Sequence, residues 1–142
     1  MRFQLVDIVL EQSPDRIVAI KNVSAAEEYL ADHFPGFPVL PGVFMIEAMV
    51  QAARRILAAE GAPRHVLGGV RALRYGSFVR PGEALRVEVA VDRRLPDGAV
   101  QFKGTGTVVR RSPDGQPTKA ADNDTAVAGR FTMRPLRRDP VA

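Results

Sequence analysis

The segment from His33 to Leu57, HFPGFPVLPGVFMIEAMVQAARRIL, restricts the fold more than any other part of the chain. Pro35, Pro38 and Pro41 rule out helix in its first half, because each lacks a backbone donor and restricts the residue before it. Phe34, Phe37, Val39 and Leu40 make that loop too apolar to lie free in water. From Gly42 the pattern turns helical and runs to about Glu60, where Gly61 and Pro63 stop it. The polar residues of this helix, Glu47, Gln51, Arg54 and Arg55, fall on one narrow stripe. An ordinary surface helix has a much wider polar face, so other structure must enclose this one.

Strands are the material available to enclose it. Residues 2–11 and 16–23 read as a hairpin turning at Ser13-Pro14-Asp15. Ser24 and Glu27 have the spacing of a capping box, which predicts a short helix through Tyr29 and Leu30. After the long helix, strands are expected over 66–79, 84–94, 99–110 and 125–134. Leu85, Val87, Val89 and Val91 alternate onto one face, and Pro96-Asp97-Gly98 closes an antiparallel hairpin. Residues 112–124 lack apolar periodicity and predict a mobile loop, and 137–142 a frayed tail. The whole pattern is α+β: a curved antiparallel sheet of five to seven strands wrapped around one central apolar helix, in a single domain spanning 1–142.

Several functions fall away. The chain has no cysteine, which excludes disulfides and thiolate chemistry, and His33 and His65 are too few for a histidine-rich metal site. No metal or cofactor is expected. The longest apolar run, Val43 to Val50, is interrupted by Glu47 and too short to span a bilayer. The start MRFQLVDIVLEQ does not read as a signal peptide, so a cytoplasmic location without membrane contact is expected. A net charge of +4 from scattered arginines suits solvated faces or an acidic partner. No stacking or zinc motif points to nucleic acid. No glycine fingerprint follows a strand, which argues against hydride transfer.

Two ionisable residues remain, His33 before the loop and Glu47 in the second helical turn. Taken alone, Glu47 could be neutralised by Arg54 or Arg55, and His33 could be a hydrogen-bonded structural residue. Together they supply a base and an acid, with the helix N-terminus at Gly42 between them in sequence. Free N–H groups there can stabilise a developing oxyanion. A glycine at that point lets a carbonyl approach. Burial of Glu47 favours the protonated form that an acid needs. The set suits proton abstraction next to a carbonyl followed by departure of a protonated leaving group. His65, outside any motif, is expected to be structural.

HFPGFPVLPGVFMIEAMVQAA resembles the signature of the FabZ-type 3-hydroxyacyl-[acyl carrier protein] dehydratases, which have the hotdog fold. Glu47 stands where the related FabA-type enzymes have aspartate. Weaker similarity covers LVDIV, RIVAIKNVS, FVRPGEALRVEVAV and FKGTGTV. The chain begins directly at RFQLVDIV, where the family usually has a PHRYPFLLVDR-type segment; residues 68–81 are shorter than usual and 110–125 longer. The resemblance implies that His33 removes the C2 proton of a 3-hydroxyacyl thioester while Glu47 protonates or orients the departing hydroxyl. It implies that the Gly42 N–H binds the thioester oxygen and that Gln51 orients the Glu47 carboxyl. It further implies an acyl tunnel, with Phe34, Val39, Leu40, Phe44, Met45 and Phe78 as candidates, and an acidic acyl carrier protein docking near Arg71, Arg74 and Arg80. The implied assembly is a homodimer with shared active sites, with a trimer of dimers left open. Two alternatives stand beside it: a hotdog thioesterase, which would not need this acid–base pair, and a non-catalytic acyl-binding or scaffold domain.

Overall fold

The structure, a computed structural model, describes residues 3–116 and 124–137. The chain forms β1 (Ile8–Gln12), β2 (Arg16–Asn22), α1 (Tyr29–Asp32), α2 (Gly42–Ala59), β3 (His65–Tyr75), β4 (Ala84–Arg94), β5 (Val100–Val109) and β6 (Thr125–Pro135). All strand pairs are antiparallel and make one six-stranded sheet in the order β1-β2-β4-β5-β6-β3. The expected curved sheet around one helix is therefore present, with β1 and β3 as its edges.

Alternation places the core. Leu85, Val87 and Val89 of β4 and Phe102 of β5 point inward with Val127, Phe131 and Met133 of β6. Against them α2 buries Met45, Ala48, Met49, Ala52, Ala53, Ile56 and Leu57. Each fully buried large side chain contributes about 2 kcal/mol of apolar transfer free energy. Two glycines of β5 make room for close packing, Gly104 against the helix and Gly106 against neighbouring strands. A Cβ on Gly104 would lie 2.5 Å from the Met49 sulfur, and one on Gly106 would lie 2.7 Å from a Val127 methyl. A bulkier residue at 104 would crowd the Met49 side chain of the helix, and one at 106 would crowd Val127 and Leu85 of the adjoining strands.

The N-terminal strand is shorter than its apolar sequence suggests. Residues 3–7 are not strand; Leu5 and Val6 are buried, and the Leu5 N–H donates to Gln51 Oε1 at 2.7 Å. The edge strand β3 leaves the regular pattern twice, and one of these bulges lies between Arg71 and Arg74. Within it Ala72 adopts φ 51°, a left-handed conformation unusual for a residue with a side chain. Residues 112–116 form a tight turn in which the Ser112 N–H donates to the Gln116 carbonyl at 2.8 Å. The rest of the predicted mobile loop, 117–123, and the predicted tail beyond Arg137 lie outside the described residues.

Candidate active site

A partly buried ion pair lies just before α1. Lys21 Nζ donates to Glu27 Oε1 at 2.6 Å, and the Tyr29 hydroxyl donates to the same oxygen at 2.6 Å. Glu27 Oε2 accepts the Ser24 N–H at 2.8 Å, while Ser24 Oγ accepts the N–H of Ala26. Only the glutamate half of the predicted capping box is made, and α1 starts later, at Tyr29. Burial opposes the charge on Glu27, but the bonds from Lys21, Tyr29 and Ser24 outweigh it and hold the carboxyl below its ordinary value. Burial, with the Glu27 bond second, pushes the Tyr29 phenol up. A depressed carboxyl stabilises the fold above its unfolded-state value and loses that contribution as the pH falls through the folded one. Glu27→Gln should therefore cost about 2 kcal/mol at pH 7. Urea unfolding at a series of pH values should show that deficit shrinking below the ordinary glutamate value of 4.5.

His33 follows α1 directly, and the peptide bond to Phe34 is cis. Its carbonyl accepts the Val39 N–H at 2.9 Å, and its Nδ1 lies 2.9 Å from the Val39 carbonyl oxygen. That carbonyl can only accept, so Nδ1 carries the proton and Nε2 keeps a free lone pair. Phe34 stacks on the imidazole with centroids 4.2 Å apart. Phe34 and Phe37 exchange backbone hydrogen bonds of 2.9 and 2.8 Å around a turn in which Gly36 has φ +76°. The Leu40 N–H donates to the Val79 carbonyl at 2.8 Å, pinning the far end of the loop.

The helix then opens at Pro41, whose carbonyl accepts the N–H groups of Phe44 and Met45 at 3.0 and 3.3 Å. The amides of Gly42 and Val43 precede the first helical donor and have no acceptor among the described residues, which leaves them able to meet a ligand. The ring of Tyr75 lies against Gly42: a Cβ there would meet Tyr75 Cε1 and Cζ at 2.6 Å. His33, Gly42 and Tyr75 line a predominantly apolar cavity of about 290 Å³ with Phe34, Val39, Leu40, Met45 and Phe78. Five of the six residues expected in an acyl tunnel thus share one cavity with the expected base. Phe44 is not among them; it packs edge-on against Phe3 at 5.0 Å and Tyr29 at 4.7 Å. Sequence reasoning missed Tyr75, because parity in β3 cannot be counted through an unseen bulge.

Glu47 is absent from the lining of that cavity. Its Oε1 accepts from Gln51 Nε2 at 3.1 Å and lies 3.6 Å from Arg54 Nη1, and its side chain is 33% exposed. The burial that the sequence suggested is incomplete in the single chain. Both the Gln51 contact and the Arg54 neutralisation that the sequence left open are present. Gln51 also donates to the Phe3 carbonyl at 2.9 Å, so one amide braces the carboxylate and the N-terminal segment together.

The three arginines considered for docking divide into two groups. Arg80 covers the Phe37 ring at 4.9 Å, and Phe37 in turn meets Phe78 at the cavity. Arg71 and Arg74 belong to β3, where Arg71 stands opposite Arg130 and Arg130 opposite Lys103. His65 is buried, with Nδ1 2.6 Å from the Pro63 carbonyl oxygen and Nε2 2.9 Å from that of Gly98, a structural tie between two turns. Among the described residues, no group of three or more His, Cys, Asp or Glu could hold a metal ion, and no helix is long and apolar enough to cross a membrane.

A histidine with a free Nε2, unsatisfied helix amides and an apolar cavity can together remove a proton beside a carbonyl and hold the resulting charge. Residues 10–111 match the ApeI-like family, described as ApeI dehydratase. The chain is 41% identical over 110 residues to a 3-hydroxyacyl-[acyl-carrier-protein] dehydratase FabZ of Thermotoga petrophila, covering 75% of this chain and 77% of that protein. It is also 41% identical over 110 residues to the FabZ of Bacillus pumilus, covering 75% and 76%. Among solved structures it resembles the dehydratase heterocomplex ApeI:P of Xenorhabdus doucetiae, with a TM-score of 0.60 and 17% identity over 89% of this chain and 96% of that one. A hypothetical thioesterase with coenzyme A from Streptococcus pneumoniae gives a TM-score of 0.61 at 11% identity, over 89% and 82%. At such identities these two structures establish the shared hotdog fold.

Proposed function

This chain belongs to the ApeI-like dehydratase family, and from that premise we propose that it dehydrates 3-hydroxyacyl thioesters at a site completed by a second copy of itself. The enzyme is a hydro-lyase of the FabZ type. His33 Nε2 takes the C2 proton, and the negative charge that develops on the thioester oxygen is met by the Gly42 N–H and the α2 dipole. The C3 hydroxyl leaves as water with a proton from Glu47, giving the trans-2-enoyl thioester. Gln51 positions the Glu47 carboxyl. Val39, Leu40, Met45, Phe34 and Phe78 surround the acyl chain. No cofactor takes part in these steps.

One observation carries the shared site: among the described residues, the cavity that holds His33 is lined by no acid of its own chain. Glu47 instead lies on a stripe of α2 that begins at Val43, 65% exposed, and this uncovered stripe can meet a partner. The unpaired edge of β3, with exposed Leu67 and Val70, offers a further surface for pairing. The substrate is carried by an acyl carrier protein, as in the names of the FabZ relatives, and the arginines provide attraction for an acidic carrier.

The test is complementation between two inactive chains. His33→Ala and Glu47→Gln, mixed and refolded together, should regain about one quarter of wild-type dehydration, because half of the symmetric dimers are mixed and each holds one intact site. Enoyl absorbance with a crotonyl or 3-hydroxybutyryl thioester gives the rate. A mixture as inactive as its parents would exclude the shared site. Release of free thiol without enoyl formation would indicate a thioesterase, and turnover of neither thioester would indicate an acyl-binding domain. Sedimentation of the intact protein separates a dimer from a trimer of dimers.

A further inference from the structure

We propose that the Tyr75 hydroxyl donates a second hydrogen bond to the substrate's thioester oxygen, beside the Gly42 amide. The assignment rests on the dehydratase reading above and adds a catalytic group to it.

The bulge in β3 brings this side chain to the site. Arg71 stands opposite Arg130, but after the bulge Arg74 stands opposite Ala128 and Tyr75 opposite Val127. Val127 is wholly buried on the helix side of the sheet, so Tyr75 faces that side as well. Had the register of Arg71 run on unbroken, Tyr75 would oppose Ala126 and point the other way. The left-handed Ala72 is the residue that accommodates the extra length.

The ring then lands on the start of α2. Its hydroxyl oxygen lies 2.9 Å from where a Gly42 Cβ would be, beside the free amide of the same residue. The hydroxyl makes no hydrogen bond to the described residues, although Tyr75 lines the cavity that contains His33. The other walls offer mainly carbon: Phe34, Val39, Leu40, Met45 and Phe78. Burial pushes the phenol up from its ordinary value, so it remains a neutral O–H able to donate. A donor with no acceptor among the described residues, set beside an amide that has none there either, matches the two lone pairs of one carbonyl oxygen. No proton moves through Tyr75 in this role; it strengthens its hydrogen bond as charge develops on the oxygen.

Tyr75→Phe removes the oxygen and keeps the ring on Gly42. With a 3-hydroxybutyryl thioester of a carrier protein, kcat should fall about 10- to 100-fold while KM changes less than about twofold. A butyryl thioester, which cannot dehydrate, reports the bond directly. Its infrared carbonyl band should shift to lower frequency on binding wild type and return toward the free value on binding Tyr75→Phe. Wild-type kcat in the variant, or a lowered kcat with an unmoved carbonyl band, would overturn the assignment and leave the dehydratase reading intact. Absence of enoyl product from wild-type enzyme would overturn both, and it is read before any variant is made.

Discussion

His33→Asn should lower dehydration by about a thousandfold while leaving stability close to wild type. General-base catalysis contributes about 10²–10⁴-fold, and asparagine supplies no base at the position of Nε2. Its amide N–H₂ can still donate to the Val39 carbonyl, replacing the 2.9 Å bond made by the imidazole Nδ1. His33→Ala removes both functions. The Val39 carbonyl then loses its donor at a buried position, which costs about 1–3 kcal/mol. The two variants should thus be almost equally inactive and clearly different in urea midpoint. Equal midpoints would show that the Nδ1 contact does not hold the loop. Substantial activity in His33→Asn would show that His33 is not the base.

Gly42→Ala has the second large effect, for a reason that lies outside backbone conformation. Gly42 is helical, and alanine suits a helix better than glycine does. The obstacle is space, since the new methyl would stand 2.6 Å from two ring carbons of Tyr75. Either the ring or the helix start must move, at a cost of about 1–3 kcal/mol. Under the proposed mechanism a shift there also displaces the amide assigned to the thioester oxygen, so dehydration should fall at least about tenfold. Tyr75→Ala removes the obstacle. In the double variant the methyl should cost nothing or even stabilise, giving a coupling energy above about 1 kcal/mol by urea unfolding. Additive behaviour would show that the ring does not rest on Gly42. The cycle measures stability, so its result stands apart from any role of the phenol in turnover.

Much of the molecule follows from local pattern. β4 begins at Ala84 and ends at Arg94 as the alternation of its valines suggests, since an uninterrupted period of two leaves one way to face a core. The start of α2 follows from Pro41 and Gly42, because Pro35, Pro38 and Pro41 keep the loop before it out of a helix. Other features depend on long-range contacts. The segment before Ile8 is apolar enough for a strand, yet the Phe3 carbonyl and the Leu5 N–H bond to the side chain of Gln51. Phe44 looked like a cavity residue because helical spacing gives faces without saying what covers each; here Phe3 and Tyr29 cover it. Tyr75 escaped notice because one inserted residue in β3 reverses which side chains face the helix. His33 and Glu47 are singled out by residue type, and the resemblance implies a site shared between subunits; only the fold shows His33 in the cavity and Glu47 outside its lining.

The near-contact of Met49 with Gly104 bears on redesign of this enzyme. Helix α2 carries Gly42, Glu47 and Gln51, and its distance from β5 is set where the Met49 sulfur fills the space a side chain would need. Any residue other than glycine at 104 must displace the buried Met49 side chain, and where that side chain has no room to turn, the helix carrying all three groups must shift. Libraries aimed at altered chain-length selectivity should therefore leave the glycine-floored face of β5 unchanged. They should vary Phe34, Val39 and Phe78, whose side chains shape the cavity without setting the height of the helix above the sheet.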